Sequence, residues 1–364
     1  MSSAKNKKIS FLVPYPTGIA PGQRFRFEQY LDQMTKRGYV VKLFPFLSPR
    51  SNEILYQPGH VVRKITGVLA GLFRRITQLP EILRSDFVYI FREATPVGPP
   101  LFEWLIGPVF RKKIIYDFDD AIWLSNTSTE NKFISGLKFH RKVRSICRWS
   151  YKVSCGNKFL ADFARKYNNA VIINPTTIDT IQLHNASLYH VKKNDHQVVV
   201  GWTGTHSTLP YLKLLLPIVE KLQEKYPAFR LLVIADKKPD WVLPCLQFTV
   251  WNKDTEIIDL LRMDIGIMPL LDDDWSRGKC GFKALQYMSL EKPALVSPVG
   301  VNERIVDHEV NGFHCSTPDE WLEHLEFLVN NQQARIEFGK KGRAKVIRDY
   351  SVVSNSDNFF SLFE

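Results

Sequence analysis

Residues 277–312, RGKCGFKALQYMSLEKPALVSPVGVNERIVDHEVNG, hold two glycine-bearing turns that each feed a short helical pattern. The first carries Lys279, Gly281, Phe282 and Lys283, and the second carries Gly300, Asn302 and Glu303. Such a turn offers backbone N–H groups and the positive end of a helix dipole, which suits a diphosphate. Lys279 and Lys283 add cationic charge beside the first turn, while Gln286 and Glu303 suit the hydroxyls of a ribose or another sugar. The same residues also read as an ordinary helix cap with a core-facing side.

A second candidate loop lies at residues 201–208, Gly-Trp-Thr-Gly-Thr-His-Ser-Thr. Gly204 permits close backbone approach, and Thr205, Ser207 and Thr208 offer hydroxyls to a phosphate or cap the helix that follows. His206 alone among the histidines sits in such a loop; none of the others shows metal-like spacing or a nucleophile motif. Further upstream, Asp117, Asp119 and Asp120 fall within four residues after an apolar run. Three carboxylates so close suit a divalent cation, a general base, hydrogen bonds to an acceptor, or a solvated turn. Arg24 and Arg26 follow the loop at 17–22, and a guanidinium fork suits phosphate or the charge of a departing group.

Alternating strands and helices must position these groups. Apolar runs at 9–15, 40–46, 87–91, 113–117, 152–155 and 170–174 read as buried parallel strands, with a helix over 24–37 that ends at Gly38. A second series opens with a strand at 198–202 and a helix at 209–226. Strands at 230–235 and 247–250, a helix at 256–261 and a strand at 265–269 follow. The rhythm implies α/β domains with parallel, doubly wound sheets. A polar, helix-breaking segment at 184–197 interrupts it. This divides the chain into an N-terminal domain (1–183), a linker (184–197), a C-terminal domain (198–349) and a final segment (350–364).

The chain has 364 residues, enough for two cores, with 45% hydrophobic and 24% charged residues. Its five cysteines are scattered without a C-x-x-C pair, as expected of reduced thiols in a cytoplasmic protein. A basic N-terminal tail runs straight into a strand, unlike a signal peptide, and no apolar run is long enough to span a bilayer. The net charge of +12 calls for an anionic partner. Two basic stretches, 60–84 and 138–152, have the make-up of helices lying on anionic lipid, or of solvated helix faces. No nucleic-acid motif accompanies them.

The order of these motifs resembles the glycosyltransferase family 4 type of GT-B glycosyltransferases, and the string DFDDAIW at 117–123 resembles one found in a bacterial surface-polysaccharide subset of them. The resemblance rests on the 281–286 turn, Glu291-Lys292-Pro293-Ala294-Leu295-Val296, Gly300 to Glu303, Asn311-Gly312 and the Gly201-Trp202-Thr203-Gly204-Thr205 loop. It implies two Rossmann-like domains with parallel sheets facing across a cleft, the donor being held by the C-terminal domain and the final segment crossing back to the first. It further implies hexosyl transfer, without a metal or other cofactor, from a UDP- or GDP-sugar to a glycan or lipid-linked acceptor. The enzyme would be cytoplasmic, peripheral on the inner face of the membrane. Gly204, Thr205, His206, Lys279, Gly281, Phe282, Lys283, Gln286, Asn302 and Glu303 then bind the donor. Trp251 stands near the expected base, where it suits stacking or merely covering the sheet edge. Asp117, Asp119, Asp120 and Arg24 become catalytic candidates.

One departure stands out. Many retaining members carry two glutamates separated by seven residues, and this chain has Gly278 and Gln286 at those positions. Asp272, Asp273 and Asp274, just upstream, are candidates for the sugar contact that the missing carboxylate would make. The departure keeps open a non-catalytic nucleotide-sugar-binding protein, and shared nucleotide loops keep open a GT-B-like epimerase.

Overall fold

The computed structural model describes residues 6–55, 59–124, 139–192 and 196–364. The basic tail at 1–5, Lys138 of the second basic stretch and residues 193–195 of the polar segment lie outside the described residues. The chain forms two compact units, Met1–Thr176 with Ser356–Glu364, and Thr177–Asn355. The change of unit at Thr177 precedes the polar 184–197 segment.

Unit 1 is a six-stranded parallel sheet of β1 (Lys8–Val13), β2 (Val40–Pro45), β3 (Phe87–Phe91), β4 (Lys113–Phe118), β5 (Lys152–Cys155) and β6 (Val171–Ile173), ordered 2-1-3-4-5-6. β3, FVYIF, is buried along its whole length, as a parallel strand covered on both faces must be. The helix expected at 24–37 is broken into Pro21–Arg26, a short turn Glu28–Tyr30 and Leu31–Lys36, because Phe27 leaves helical geometry at φ −142°. The tail residues Phe359, Phe360 and Phe363 pack in this unit; Phe359 stacks on Tyr30 at 4.1 Å and Phe363 lies beside Phe11 and Tyr89.

Unit 2 is a second six-stranded parallel sheet of β7 (Val198–Gly204), β8 (Phe229–Ala235), β9 (Leu246–Val250), β10 (Ile265–Met268), β11 (Ala294–Val296) and β12 (Gly312–His314). Its order is 12-11-10-7-8-9. β12 falls where the sequence suggests only a turn, because its three residues are too few to show a period. The helix expected at 209–226 divides into Leu209–Lys213 and Leu216–Lys225, with Pro217 seated in the first turn of the second piece, where a missing N–H costs nothing. Trp202, Phe229, Leu231, Val233 and Ile267 lie in its core.

Each sheet has one point where the chain reverses its direction of winding, between β1 and β3 in unit 1 and between β7 and β10 in unit 2. In open α/β sheets, ligands bind at the carboxyl ends of the strands at such a point. All five cysteines are free and buried. Among the described residues, no helix is long and apolar enough to cross a membrane.

Candidate functional site

At the carboxyl ends of β7 and β10 the two glycine loops come together. Thr203 at the end of β7 donates its N–H to the Tyr287 hydroxyl (3.0 Å), and Tyr287 belongs to the helix Phe282–Ser289. On the same helix, Lys283 holds its ammonium 5.0 Å from the Trp202 ring. Burial pushes the Tyr287 hydroxyl well above its usual pKa, so it stays a neutral pin between strand and helix. Gly204 lies so close to its neighbours that a Cβ there would come within 2.4 Å of the Trp202 ring.

Gly281 forms the N-cap of the helix Phe282–Ser289 at φ +66°, and no side chain caps that terminus. A Cβ on Gly281 would fall 2.0 Å from Ile305 Cδ1, so only glycine lets this turn lean on the helix Asn302–Ile305. The lysines flank the turn: Lys283 follows it by two residues, and Lys279 holds its ammonium 4.7 Å over the Trp275 ring. Asn302 is buried behind the turn, donating to Ser297 O at 3.2 Å, with its Oδ1 lacking a hydrogen-bond partner. Glu303 beside it is exposed. An uncapped helix terminus with two cations suits an anion of two charges.

Thr205 and Thr208 form a reciprocal cap in the first loop, and the hydroxyls of Thr205 and Ser207 lie 2.8 Å apart. His206 differs from the expectation that it faces phosphate. Its backbone N–H and its Nδ1 both meet the Asp236 carboxylate, at 2.6 Å each. Asp236 follows β8, so two loops that are 30 residues apart are tied by a carboxylate seated on a helix-start amide. The tie was not visible in the sequence, where Asp236 shows only as part of an Asp-Lys-Lys loop.

Gln286 and Trp251 meet at one carboxylate. Gln286 is 1% exposed, with Nε2 3.3 Å from Glu256 Oε1 and 3.4 Å from His184 Nε2. Trp251 donates its indole N–H to the same Glu256 oxygen at 3.2 Å. The two residues thus converge on a buried carboxylate, and the Gln286 amide faces that cluster. Its amide nitrogen is thus engaged within unit 2 by Glu256 and His184. Asp272, Asp273 and Asp274 are exposed but engaged. Asp273 caps the helix Asp274–Arg277, accepting from Ser276 N–H, and Asp272 and Asp274 pair with Arg277. The Arg277 hydrogen bond holds the Asp272 carboxyl below its usual pKa.

In unit 1 the acidic triplet divides between two arginines. Asp117 is fully buried; Oδ1 accepts from Ser154 Oγ at 2.5 Å and from Arg26 Nη2, and Oδ2 accepts from Arg26 Nε at 3.1 Å. Arg26 is equally buried and also donates to Asn174 O. A carboxylate so enclosed ties β4, β5 and the Pro21–Arg26 helix together, a structural role beside the catalytic one expected of it. Asp119 and Asp120 instead meet Arg92, which follows β3: Nε lies 2.8 Å from Asp119 Oδ1 and Nη2 2.7 Å from Asp120 Oδ2. Burial raises the Asp119 carboxyl above its usual pKa, with Arg92 opposing and Asp120 reinforcing the rise. The Arg92 guanidinium is itself raised, because Asp119 and Asp120 outweigh the cost of burial. Arg92 adopts φ +60°, a left-handed backbone that non-glycine residues hold only where the surroundings compel it. The only sequence signal for it was a charge directly after five apolar residues. Arg24 is largely buried, with its guanidinium 4.9 Å from the Phe25 ring.

The second half of the chain matches a family model: residues 192–345 fit that of glycosyl transferases group 1. No curated protein matches the chain. Among solved structures, a sucrose-phosphate synthase from Thermosynechococcus elongatus superposes with a TM-score of 0.71 at 11% identity, covering 98% of both chains. HepE from Anabaena, in complex with UDP and glucose, gives a TM-score of 0.61 at 14% identity over 98% of this chain and 99% of its own. A glycosyltransferase from Rickettsia africae gives 0.68 at 12% identity, covering 99% of each. At these identities the likeness concerns the fold, which is GT-B: two Rossmann-like domains with parallel sheets.

Proposed function

We propose that this chain, whose residues 192–345 match the model of glycosyl transferases group 1 and whose fold is GT-B, is a glycosyltransferase that moves a hexose from a UDP- or GDP-sugar to a glycan or lipid-linked acceptor. The observation that carries the reading is the meeting of two glycine loops at the carboxyl ends of β7 and β10, with Lys283 above Trp202 and the uncapped turn at Gly281 beside it. The diphosphate lies against the N-terminus of the helix Phe282–Ser289, where the dipole contributes roughly half a positive charge. Lys279 and Lys283 supply the rest of the compensation, so the scheme needs no metal or other cofactor. Hydroxyls of Thr205 and Ser207 and the exposed Glu303 are placed to hydrogen-bond phosphate or sugar. The HepE complex with UDP and glucose supports uridine as the base.

On the acceptor side, Asp119 and Asp120 with Arg92 are the groups we assign to binding or deprotonating the incoming hydroxyl. Asp119, whose carboxyl burial raises above its usual pKa, is the group we assign to proton transfer. We place the reaction in cell-surface polysaccharide synthesis, in the cytoplasm at the inner face of the membrane.

Isothermal titration with UDP, GDP and their hexose conjugates tests this reading. A uridine or guanosine diphosphate sugar should bind, and Lys283→Ala should weaken it about tenfold, the loss of one charge-assisted contact, with an unchanged melting temperature. Unchanged affinity removes Lys283 from the site. One observation favours a second reading, a binding protein without turnover: Gly278 stands where related enzymes carry a carboxylate, and Asp272 and Asp274, the candidates for its sugar contact, are engaged by Arg277. Tight donor binding with no transfer or hydrolysis would select it.

A further inference from the structure

The helix Val61–Ile82 runs for 22 residues between β2 and β3, and its two faces are unlike those of a helix packed on both sides. Its inner face is set by Gly71, Arg75 and Ile82, all buried. Gly71 lies against the Phe46 ring, so close that a Cβ there would fall 2.6 Å from it. Arg75 is fully enclosed there and donates to Val13 O at 3.0 Å, Phe44 O at 2.5 Å and Ala94 O at 2.9 Å, gathering three chain segments at the carboxyl ends of their strands. One of the charges that makes this stretch look basic in the sequence is therefore a core group.

The opposite face carries Val62, Ile65, Leu69, Phe73 and Ile76, each more than half exposed. Their steps of three, four, four and three residues keep them on one side of an α-helix, in a stripe about 21 Å long at 1.5 Å per residue. Monomeric soluble surfaces rarely present so continuous an apolar strip. Arg63, exposed, and Arg74 are eleven residues apart, about three turns, and so share one flank of the stripe. Arg74 also reaches Phe46 O at 3.2 Å. The helix has one carboxylate, Glu81, which lies beyond the stripe and pairs with Lys42. On the next crossover, Leu101, Trp104 and Phe110 are exposed as well.

We propose that this outer face is a docking surface for an anionic lipid bilayer. Val62, Ile65, Leu69, Phe73 and Ile76 enter the acyl boundary while Arg63 and Arg74 meet headgroup charge, their stems lying along the apolar surface. The stripe has the spacing of a coiled-coil seam, so a second copy is the rival occupant. Charge decides between them: a coiled coil sets carboxylates against cations along its edges, and here the flanking charges are basic with no carboxylate between 62 and 76. Two such helices would face each other with like charge, whereas anionic lipid complements both parts of the surface. The inference names the face behind the membrane contact proposed above, and it rests on unit 1 alone, independent of donor binding.

The test is co-sedimentation of the full chain with vesicles of phosphatidylcholine alone or mixed with phosphatidylglycerol. The chain should sediment with the anionic vesicles, and raising salt should weaken the binding. Leu69→Ser with Phe73→Ser should lower partitioning about tenfold or more, and Arg63→Glu about fivefold on anionic vesicles only. These side chains are exposed, so melting temperature and nucleotide affinity should stay as in the parent. Absence of binding by the parent chain, or serine variants that bind as tightly, overturns the proposal. So does sedimentation velocity showing a dimer that the same serine pair dissolves. Nucleotide titration of the same samples separates a failure of the membrane face from a failure of the transferase reading.

Discussion

Replacing Asp117 by alanine separates a structural from a catalytic carboxylate. Both partners of the Arg26–Asp117 pair are fully buried, and removal of the carboxylate leaves the guanidinium with Asn174 O and Ser154 Oγ but without the carboxylate it now meets at two nitrogens. Breaking one side of a buried pair costs about 3–5 kcal/mol. Unit 1 has 185 residues, and for a domain of that size each kcal/mol shifts the midpoint by about 2–4 °C. Asp117→Ala should therefore lower the melting midpoint of unit 1 by roughly 10 °C. Arg26→Met with Asp117→Leu, which removes both charges and keeps volume, should recover most of the loss. Differential scanning calorimetry reads the transition, and UDP titration should report an affinity close to the parent, since Asp117 lies in unit 1. The reasoning fails if Asp117→Ala melts with the parent but loses transfer activity; that outcome would restore the catalytic role read from the sequence.

Two more outcomes follow from local geometry. Gly281→Ala combines a left-handed φ with a Cβ 2.0 Å from Ile305 Cδ1, and should destabilise unit 2 by about 1–3 kcal/mol while weakening donor binding. Adding Ile305→Ala relieves the clash but not the backbone strain, so recovery should be partial; full recovery would show that the φ costs nothing. Glu103 is fully buried, accepts Ala94 N–H at one oxygen and has no hydrogen-bond partner at the other. Burial raises its pKa, against lowering by the Ala94 N–H and Lys142. With the folded value above the unfolded one, its contribution to stability is full below the usual carboxylate value of about 4.3 and is lost as pH rises through the raised value. Melting curves between about pH 4 and pH 8 should thus converge towards Glu103→Gln at the acid end and fall below it at the neutral end; parallel curves for the two proteins would refute this.

Much of the frame was legible from the chain alone. Parallel strands buried on both faces read as mostly apolar runs; β3 is one throughout, and β1, β4 and β8 are so but for one or two polar residues each. Gly38 past a helix end takes φ +87° and Gly281 before a helix takes φ +66°, conformations that local sequence can announce because only glycine adopts them cheaply. Helix breaks were less visible. Phe27 carries no breaking signature, and the interruption there follows from packing Phe25, Phe27 and Tyr30 into one core.

What each charged side chain does was decided by the tertiary structure, because burial and pairing join residues far apart in the chain. Asp117 is claimed by Arg26, 91 residues away, and Gln286 by Glu256, 30 away, while His206 closes on Asp236 across another 30. Arg92 acquired its importance only when β3 and β4 became neighbours and set it against Asp119 and Asp120. Likewise, composition marked 60–84 as basic and amphipathic, yet the direction of its apolar stripe depended on Gly71 seating against Phe46. A sequence records which groups are available at a given spacing; the low-dielectric interior then selects which of them must be paired, and so which remain to meet a ligand.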